Sequence, residues 1–321
     1  MELGHDDPRL AAIRLRRELL DSGAHSDQSL ARAVQLGWLA RPRRGAYVDG
    51  PLWRSLSPDQ QYALRCRAAF RQAHTGVILS HVSALPFHDA PVWGFDLDDV
   101  HLTRVDGRSG RREAGIRRHC GQLMSGDVVE LHDVDVMSAL RATLEASLVG
   151  SVEASLVVVN HFLHRGEYDL PTLAARYEAS MDRWPSSLTT DLVLRLADAR
   201  HESVGETRMA YFFFARSLPK PIPQFEVYDG STLVARLDFA LPELGVWMEF
   251  DGRVKYERFL RTGESPADAV VREKRREETV AELTGWRCLR VTWDDLADPP
   301  RLERRVRDLI ASVSRSRRAA G

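Results

Sequence analysis

Two acidic residues interrupt an apolar run near the end of the chain, in the segment Val246-Trp-Met-Glu-Phe-Asp251. Side chains alternate across a β-strand, so Trp247, Glu249 and Asp251 are expected to share one face of this segment. Val246, Met248 and Phe250 are apolar and share the other face. A carboxylate inside an apolar strand is costly unless a partner neutralises it. The segment therefore predicts a β-strand whose acidic side chains have a functional role.

A third acid, Asp238, lies at the end of the preceding predicted strand and would come close to Glu249 in an antiparallel pair. Each contact between like charges at about 4 Å costs about 4 kcal/mol at an effective dielectric constant of roughly 20. A divalent cation removes that penalty, and Mg²⁺ is bound by a few carboxylates, waters and substrate phosphate. The pattern predicts a site for Mg²⁺ or Mn²⁺ and metal-dependent hydrolysis of phosphodiester bonds.

Glu206 has two interpretations. It begins a predicted helix, from which its carboxylate could reach the same acids as a metal ligand. Ser203-x-x-Glu206 is also a capping box, in which the serine caps the helix and the glutamate bonds back to the serine amide. The two roles are compatible, and the sequence leaves both open.

These residues resemble the PD-(D/E)XK nuclease superfamily, in particular its very-short-patch-repair-like branch. The resemblance covers about 110 residues and rests on an aspartate, a Glu-x-Asp-Gly strand, a charged helix and a closing Gly-Trp-Arg-Cys-Leu-Arg-Val-Thr-Trp strand. It implies a restriction-endonuclease-like fold with Glu206, Asp238 and Glu249 as metal ligands and Asp238, Glu249 and Asp251 at catalytic positions.

Asp251 stands where many members of that superfamily carry a lysine. A lysine would orient water and stabilise the transition state, which an aspartate cannot do as a cation. Lys255 is the first candidate for the missing charge, and Lys274 or Arg275 on the following helix are others. The charge pattern of that helix favours a solvated charged surface over a catalytic role.

The N-terminal part predicts a winged helix. An amphipathic pattern from Leu10 ends at Gly23, and Ser26 caps a second helix that ends at Gly37. Pro42 and a glycine then introduce a basic hairpin. In a winged helix the second helix enters the major groove of DNA.

Arginine and glutamine suit base edges, and hairpin arginines suit phosphates. The predicted base contacts are Gln28, Ser29, Arg32 and Gln35, and the predicted phosphate contacts are Arg41, Arg43 and Arg44. Residues 8–48 hold eight arginines against three acids, and residues 301–318 hold seven against two, so both ends are basic. A solvated helix pair would show the same residues, and the sequence does not separate these alternatives.

A second resemblance covers about 90 residues of the N-terminal half. Arg41-Pro-Arg-Arg-Gly-Ala-Tyr-Val48 followed by Leu79-Ser-His-Val-Ser-Ala-Leu-Pro-Phe-His-Asp89 looks like the AbiEi antitoxin of type IV toxin–antitoxin systems. Actinobacterial chains are similar in joining such a head to a nuclease-like tail. The resemblance implies a winged helix that binds operator DNA and represses its own operon, with a toxin as protein partner.

The composition restricts the classes of protein to which the chain can belong. The longest apolar runs fall short of a membrane span, and the first residues lack a signal-peptide pattern, so a cytoplasmic protein with no membrane partner is expected. The three cysteines are far apart and no cysteine or histidine spacing matches a zinc motif, so a structural zinc is not expected. His81 and His88 lie among apolar residues and are interpreted as core histidines.

The predicted fold is an α+β multidomain chain with a winged helix, a helical middle and a C-terminal α/β domain around a mixed central sheet. The predicted domains are residues 1–50 (winged helix), 51–135 (antitoxin-like α/β), 136–200 (helical connector), 201–312 (nuclease-like) and 313–321 (basic tail). Two functions follow. One is a double-stranded-DNA-binding, Mg²⁺-dependent endonuclease, and the other is an antitoxin and autorepressor with an inactive nuclease fold. A homodimer fits paired DNA half-sites.

Overall fold

The structure of this chain is a computed structural model that describes residues 13–180, 187–252 and 265–320. Helices and three β-sheets, of antiparallel or mixed strand direction, occur together, so the predicted α+β class is confirmed. The chain divides into two compact units, one up to Ala197 and one from Asp198 onward. Among the described helices, none combines the length and apolar character needed to span a lipid bilayer.

The first unit begins with two short helices and a β-hairpin. These elements are β1 (Arg14–Leu15), α1 (Arg16–Asp21), α2 (Asp27–Gln35), β2 (Leu39–Arg43) and β3 (Ala46–Asp49). Strand β3 lies between β1 and β2 in a three-stranded antiparallel sheet. Ser26 caps α2 as predicted, because its hydroxyl accepts a hydrogen bond from the Ser29 backbone N–H at 3.2 Å.

The prediction of one long first helix is wrong. Helix α1 spans six residues, and Leu15 before it belongs to a strand that pairs with Ala46. Ile13 and Leu15 are both buried in a cluster with Ala46 and Val48. The strand therefore buries these apolar side chains as well as a helix would. The pairing partner is distant in sequence, and helical periodicity carries no information about it. Leu10 lies outside the described residues.

A six-stranded mixed sheet follows the hairpin. The elements are α3 (Gly50–Ser55), α4 (Pro58–Gln72), β4 (Val77–Leu79), β5 (Val100–Arg104), β6 (Arg111–Glu113), β7 (Ile116–His119), β8 (Val128–Leu131) and β9 (Val134–Met137). The strand order is β6-β7-β5-β4-β9-β8. The pairs β5/β7 and β4/β9 are parallel and the other pairs are antiparallel. Two 3₁₀ turns, His81–Ser83 and Leu85–His88, come directly after β4.

The stretch predicted to be helical contains α5 (Ala139–Ser147), α6 (Val152–His164), α7 (Leu170–Ser180) and α8 (Ser187–Leu196). Ser138 and Ser151 cap α5 and α6 through their hydroxyls. Helix α6 is buried over most of its length, which agrees with its nearly continuous apolar sequence.

The second unit is built on a four-stranded mixed sheet. Its elements are α9 (Val204–Ala215), β10 (Ile222–Asp229), β11 (Thr232–Leu241), β12 (Val246–Asp251), α10 (Pro266–Thr284), β13 (Arg287–Thr292), α11 (Trp293–Ala297) and α12 (Pro299–Ala320). The strand order is β10-β11-β12-β13, in which only β12 and β13 are parallel. A 3₁₀ turn, Pro242–Leu244, joins β11 to β12.

Strand β12 separates two apolar layers, and the predicted alternation of its side chains is confirmed. Met248 and Phe250 pack with Met209 of α9 on one face of the sheet. Trp247 packs with Val280 of α10 on the other face. Glu249 therefore points toward the α10 side, because it shares the face of Trp247.

Helix α9 lies directly against β12 because Gly205 leaves room for an aromatic ring. A Cβ atom at Gly205 would lie 2.0 Å from Cε1 of Phe250, a distance that no side chain tolerates. This close approach fixes the first turn of α9, and with it Glu206, beside the strand that carries Glu249.

We expect Gly205→Ala to reduce the free energy of unfolding by about 1–3 kcal/mol, because Phe250 must move to admit the methyl group. Gly252→Ala is the matched control, since a Cβ there would make an ordinary contact of 3.5 Å with the same ring. Urea denaturation measures both variants. Equal effects of the two substitutions would contradict the packing described for α9.

Candidate functional site

Glu206 is a buried carboxylate that the surrounding chain binds tightly. The residue is 4 % exposed, and its carboxylate accepts hydrogen bonds from the Glu202 backbone N–H (3.0 Å), the Ser203 hydroxyl (2.7 Å) and the Gln224 side-chain amide (2.9 Å). Ser203 caps α9, as the sequence predicts. In the predicted capping box, the Glu206 carboxylate accepts a hydrogen bond from the Ser203 backbone N–H. In the structure it accepts from the Glu202 backbone N–H and the Ser203 hydroxyl instead. The carboxylate thus holds the two residues that precede α9.

Asp238 lies near Glu206 and carries the same charge. Burial raises the pKa of Glu206, and the negative charge of Asp238 raises it further. One carboxylate oxygen of Asp238 accepts a hydrogen bond from the Phe250 backbone N–H at 2.8 Å, so Asp238 is tied to β12. The sequence predicts that an antiparallel pair would bring Asp238 near Glu249, and the strands that carry them, β11 and β12, do pair antiparallel.

Glu249 forms an ion pair with an arginine of α10. Its Oε1 atom lies 3.0 Å from Nη2 of Arg276, and the glutamate as a whole is 7 % exposed. The guanidinium also binds Glu273 through two of its nitrogens, at 2.7 and 3.2 Å. Its Cζ atom lies 5.8 Å from the ring centre of Trp247, within the range of a cation–π contact. Arg276 therefore balances the charge of Glu249 from within the protein.

The electrostatics of Arg276 agree with this geometry. Burial works to lower the pKa of its guanidinium, but Glu273 and Glu249 outweigh that effect and the pKa is raised. Arg276 therefore stays charged at every pH at which Glu249 is ionised.

A magnesium ion requires several oxygens that converge on one point. Within the described ranges, Glu206, Asp238 and Glu249 do not bring oxygens within 4.8 Å of one another as a set. Protein donors occupy the carboxylate of Glu206, and a guanidinium neutralises Glu249. In this conformation the three acids do not fit a ready-made magnesium site.

The remaining predicted catalytic residues are placed as follows. Asp251 is half-buried at the end of β12, and Lys255 lies outside the described residues. The Lys274 side chain is 77 % exposed and pairs with Glu278, and Arg275 is exposed. The cation that pairs with Glu249 is Arg276.

A cavity of about 380 Å³ lies between the end of β12 and α10. The charged residues that line it include Glu249, Asp251, Arg236, Arg272, Arg276 and Arg290. Arg290 is bound to Glu277 at 2.9 Å, and Arg236 to Glu202 at 2.6 Å. The cavity thus mixes both signs of charge.

The four predicted base-reading residues of α2 are all exposed. They are Gln28, Ser29, Arg32 and Gln35. Ser29 is partly committed, because its hydroxyl accepts a hydrogen bond from the Ser26 N–H at 2.8 Å and donates one to the Ser26 carbonyl at 2.9 Å. Leu30 and Ala33 occupy the buried face of α2, which leaves the other face to solvent.

The three hairpin arginines differ from one another. Arg41 and Arg44 are exposed and line an open groove of about 980 Å³ beside Gln35. Arg43 is half-buried, because its guanidinium donates to Gln72 at 2.8 Å and to the Ala114 carbonyl at 3.3 Å. Two of the three predicted phosphate contacts are therefore presented outward, and the third is used within the unit.

Arg276 is the residue of the acidic site that sequence reasoning missed. A signal for it exists, because Ala269, Arg276 and the fully buried Val280 are seven and four residues apart and share a helix face. The interpretation of α10 as a solvated surface does not take account of this pattern.

Neither a known family model nor a curated protein matches the chain.

We expect Arg276→Met to reduce the free energy of unfolding by about 2–3 kcal/mol, because it leaves the carboxylate of Glu249 without its cation in a largely buried place. This figure is below that of a fully buried pair, since the Arg276 side chain is 24 % exposed. The exposed neighbour gives the control, and Arg275→Met should change stability by less than about 0.5 kcal/mol.

Combining Arg276→Met with Glu249→Gln tests the pair itself. The double variant should be more stable than the sum of the single effects predicts, by about 1 kcal/mol or more, because the second substitution removes the charge that the first one strands. Strict additivity in urea denaturation would show that the two side chains are not coupled.

Proposed function

We propose that the chain is a double-stranded-DNA-binding protein of the winged-helix type that acts as an AbiEi-like antitoxin and autorepressor. The observation that carries the proposal is the exposed face of α2 beside the outward arginines of the β2–β3 hairpin. Two helices followed by an antiparallel hairpin support the winged-helix assignment. The protein partner of this type of antitoxin would be a cognate toxin.

Sequence recognition is assigned to α2. Gln28, Arg32 and Gln35 are separated by four and three residues, so they follow one another along the same face of the helix. Arginine can bind guanine through two hydrogen bonds, and glutamine can bind adenine in the same way. Arg32 and Gln35 are therefore the residues expected to discriminate between bases.

Affinity is assigned to Arg41 and Arg44. Both line the groove that also contains Gln35, so a duplex lying along α2 would bring its phosphates to the hairpin. Arg16 at the same groove is paired with Asp27, which reduces its value for phosphate. Two half-sites read by a homodimer would double these contacts.

The second unit is proposed to keep a nuclease-like fold without relying on it for turnover. A mixed four-stranded sheet with Asp238 and Glu249 on adjacent strands supports that fold. The ion pair between Glu249 and Arg276 favours binding over cleavage, because it supplies inside the protein the positive charge that a metal would bring.

We expect Arg41→Ala and Arg44→Ala each to weaken binding to a short mixed-sequence duplex and to reduce the slope of log affinity against log salt by about one. Fluorescence anisotropy across a salt series measures the slope. Arg195→Ala, an exposed arginine of α8 in the same unit, is the control and should leave the slope unchanged. The DNA surface lies elsewhere if the two hairpin variants behave like the control.

Metal-dependent cleavage of DNA is a second candidate function. It is favoured by the proximity of Glu206 and Asp238, since burial raises the pKa of Glu206 and the charge of Asp238 raises it further. A Mg²⁺ or Mn²⁺ site made from Glu206, Asp238 and Glu249 requires Arg276 to release Glu249. Asp251, at the edge of the cavity, would then face the substrate.

Nicking of supercoiled plasmid in Mg²⁺, Mn²⁺ or chelator tests this second function. The repressor proposal predicts binding without cleavage in every condition, and no rise in melting temperature on addition of Mg²⁺. Metal-dependent nicking that is lost in both Asp238→Asn and Glu249→Gln would establish the endonuclease. A nicking activity that survives both substitutions would come from a contaminant.

A further inference from the structure

Three histidines of the first unit come together across the neighbouring strands β7, β5 and β4 of the six-stranded sheet. His101 lies on β5 and His119 at the end of β7, two strands that pair in parallel. His81 begins the 3₁₀ turn after β4, which is the other neighbour of β5. About twenty residues separate each histidine from the next, so no ligand motif is visible in the sequence.

The ring nitrogens of these three residues are close enough for one metal ion. One ligand atom from each lies within 4.8 Å of the others, and Nε2 of His119 is 3.0 Å from Nδ1 of His101. A zinc–nitrogen bond is about 2.0–2.1 Å long, which puts two ligands of a tetrahedral site about 3.4 Å apart. Small rotations of the rings would therefore complete the geometry.

His81 is held by a buried carboxylate. Its Nδ1 atom lies 3.1 Å from the Ser80 hydroxyl and 3.3 Å from Oε2 of Glu145, and its backbone N–H donates to the same glutamate oxygen at 3.2 Å. Arg141 in turn binds Glu145 at 2.8 Å, and Asp127 at 3.4 Å. A carboxylate that binds one ring nitrogen turns the other toward a metal, as is usual for metal-bound histidines.

The backbone at His81 is constrained. Its φ angle of 53° lies in the left-handed region, which is uncommon for a residue with a side chain. Such conformations require about 1–3 kcal/mol and are maintained where the surroundings fix them, often at functional sites. The contacts with Glu145 provide that constraint here.

The cluster is protected from solvent on one side and open on the other. His81 and His101 are each 5 % exposed, and His119 is half-buried. A metal binds the lone pair of an uncharged imidazole nitrogen.

We propose that His81, His101 and His119 bind one divalent transition-metal ion, with Glu145 as the residue that positions His81. Imidazole nitrogens suit Zn²⁺ and its first-row neighbours, whereas Mg²⁺ and Ca²⁺ require oxygens. In the described part of the chain, no cysteine or carboxylate joins the three histidines as a further ligand. The fourth position of a tetrahedral ion is therefore assigned to water or to an external ligand, as in open zinc sites.

An alternative explanation is a metal-free cluster. The rings of His81 and His119 are stacked with centres 3.7 Å apart, and His119 and His101 satisfy each other by a hydrogen bond. This arrangement would be stable on its own, so the two explanations differ in one measurable property, which is affinity for Zn²⁺.

Titration of the chelator-treated full chain with ZnCl₂ in a calorimeter tests the proposal. We expect one tight site per chain, a rise in melting temperature with Zn²⁺ and no such rise with Mg²⁺. His119→Gln should weaken Zn²⁺ binding more than tenfold, and because His119 is half-buried this variant should still fold. Glu145→Gln should weaken it about 10–100-fold by releasing His81.

The control is His74→Gln, which removes an exposed histidine of the same unit outside the cluster. This variant should bind Zn²⁺ like the native chain. Absence of a tight site in the native chain would establish the metal-free cluster. A tight site that survives His119→Gln and His101→Gln, or is lost in His74→Gln, would overturn the assignment to these three residues.

Discussion

The architecture of the second unit depends on how the buried charge of Glu249 is balanced. The residue must lie on the α10 side of β12, because the opposite face of that strand is filled by Met248 and Phe250. A carboxylate at that depth requires a cation nearby. Arg276 supplies it. Its guanidinium joins α10 to the sheet by pairing with Glu249 and packing near Trp247, and Glu273 of the same helix binds it as well.

The pairing of arginines with carboxylates around the cavity bears on the proposed DNA contact. Arg236, Arg276 and Arg290 around the cavity are all engaged by carboxylates of the same unit, so little of their charge is available to phosphate. At the other end of the chain, Arg32, Arg41 and Arg44 are exposed on α2 and its hairpin. The proposed DNA contact of the first unit rests on these exposed arginines.

The sequence predicted what depends on neighbouring residues and failed where the structure depends on distant ones. The cap at Ser26, the alternation along β12 and the exposed face of α2 follow from local pattern, and all three are present. The strand at Leu15 depends on Ala46, and the ion pair of Glu249 depends on a helix twenty-seven residues away. The periodicity around Leu15 and around Glu249 does not identify either partner.

The histidine cluster shows the same limit more clearly. His81 was expected to be a core histidine, and it is indeed buried and hydrogen-bonded. What sequence spacing could not provide is its proximity to His101 and His119, which follows from the order of β4, β5 and β7 in the sheet. Metal-ligand motifs detect sites built within one loop, and this cluster is built across strands.

Amide hydrogen exchange of the full chain, with and without duplex DNA selected from a random-sequence pool, tests the central claim most directly. If the first unit makes the contact, DNA should slow exchange in residues 27–44, which contain α2 and the hairpin, and leave β12 and α10 unchanged. Protection confined to residues 198–252 and 265–320 would contradict the account and place DNA on the second unit.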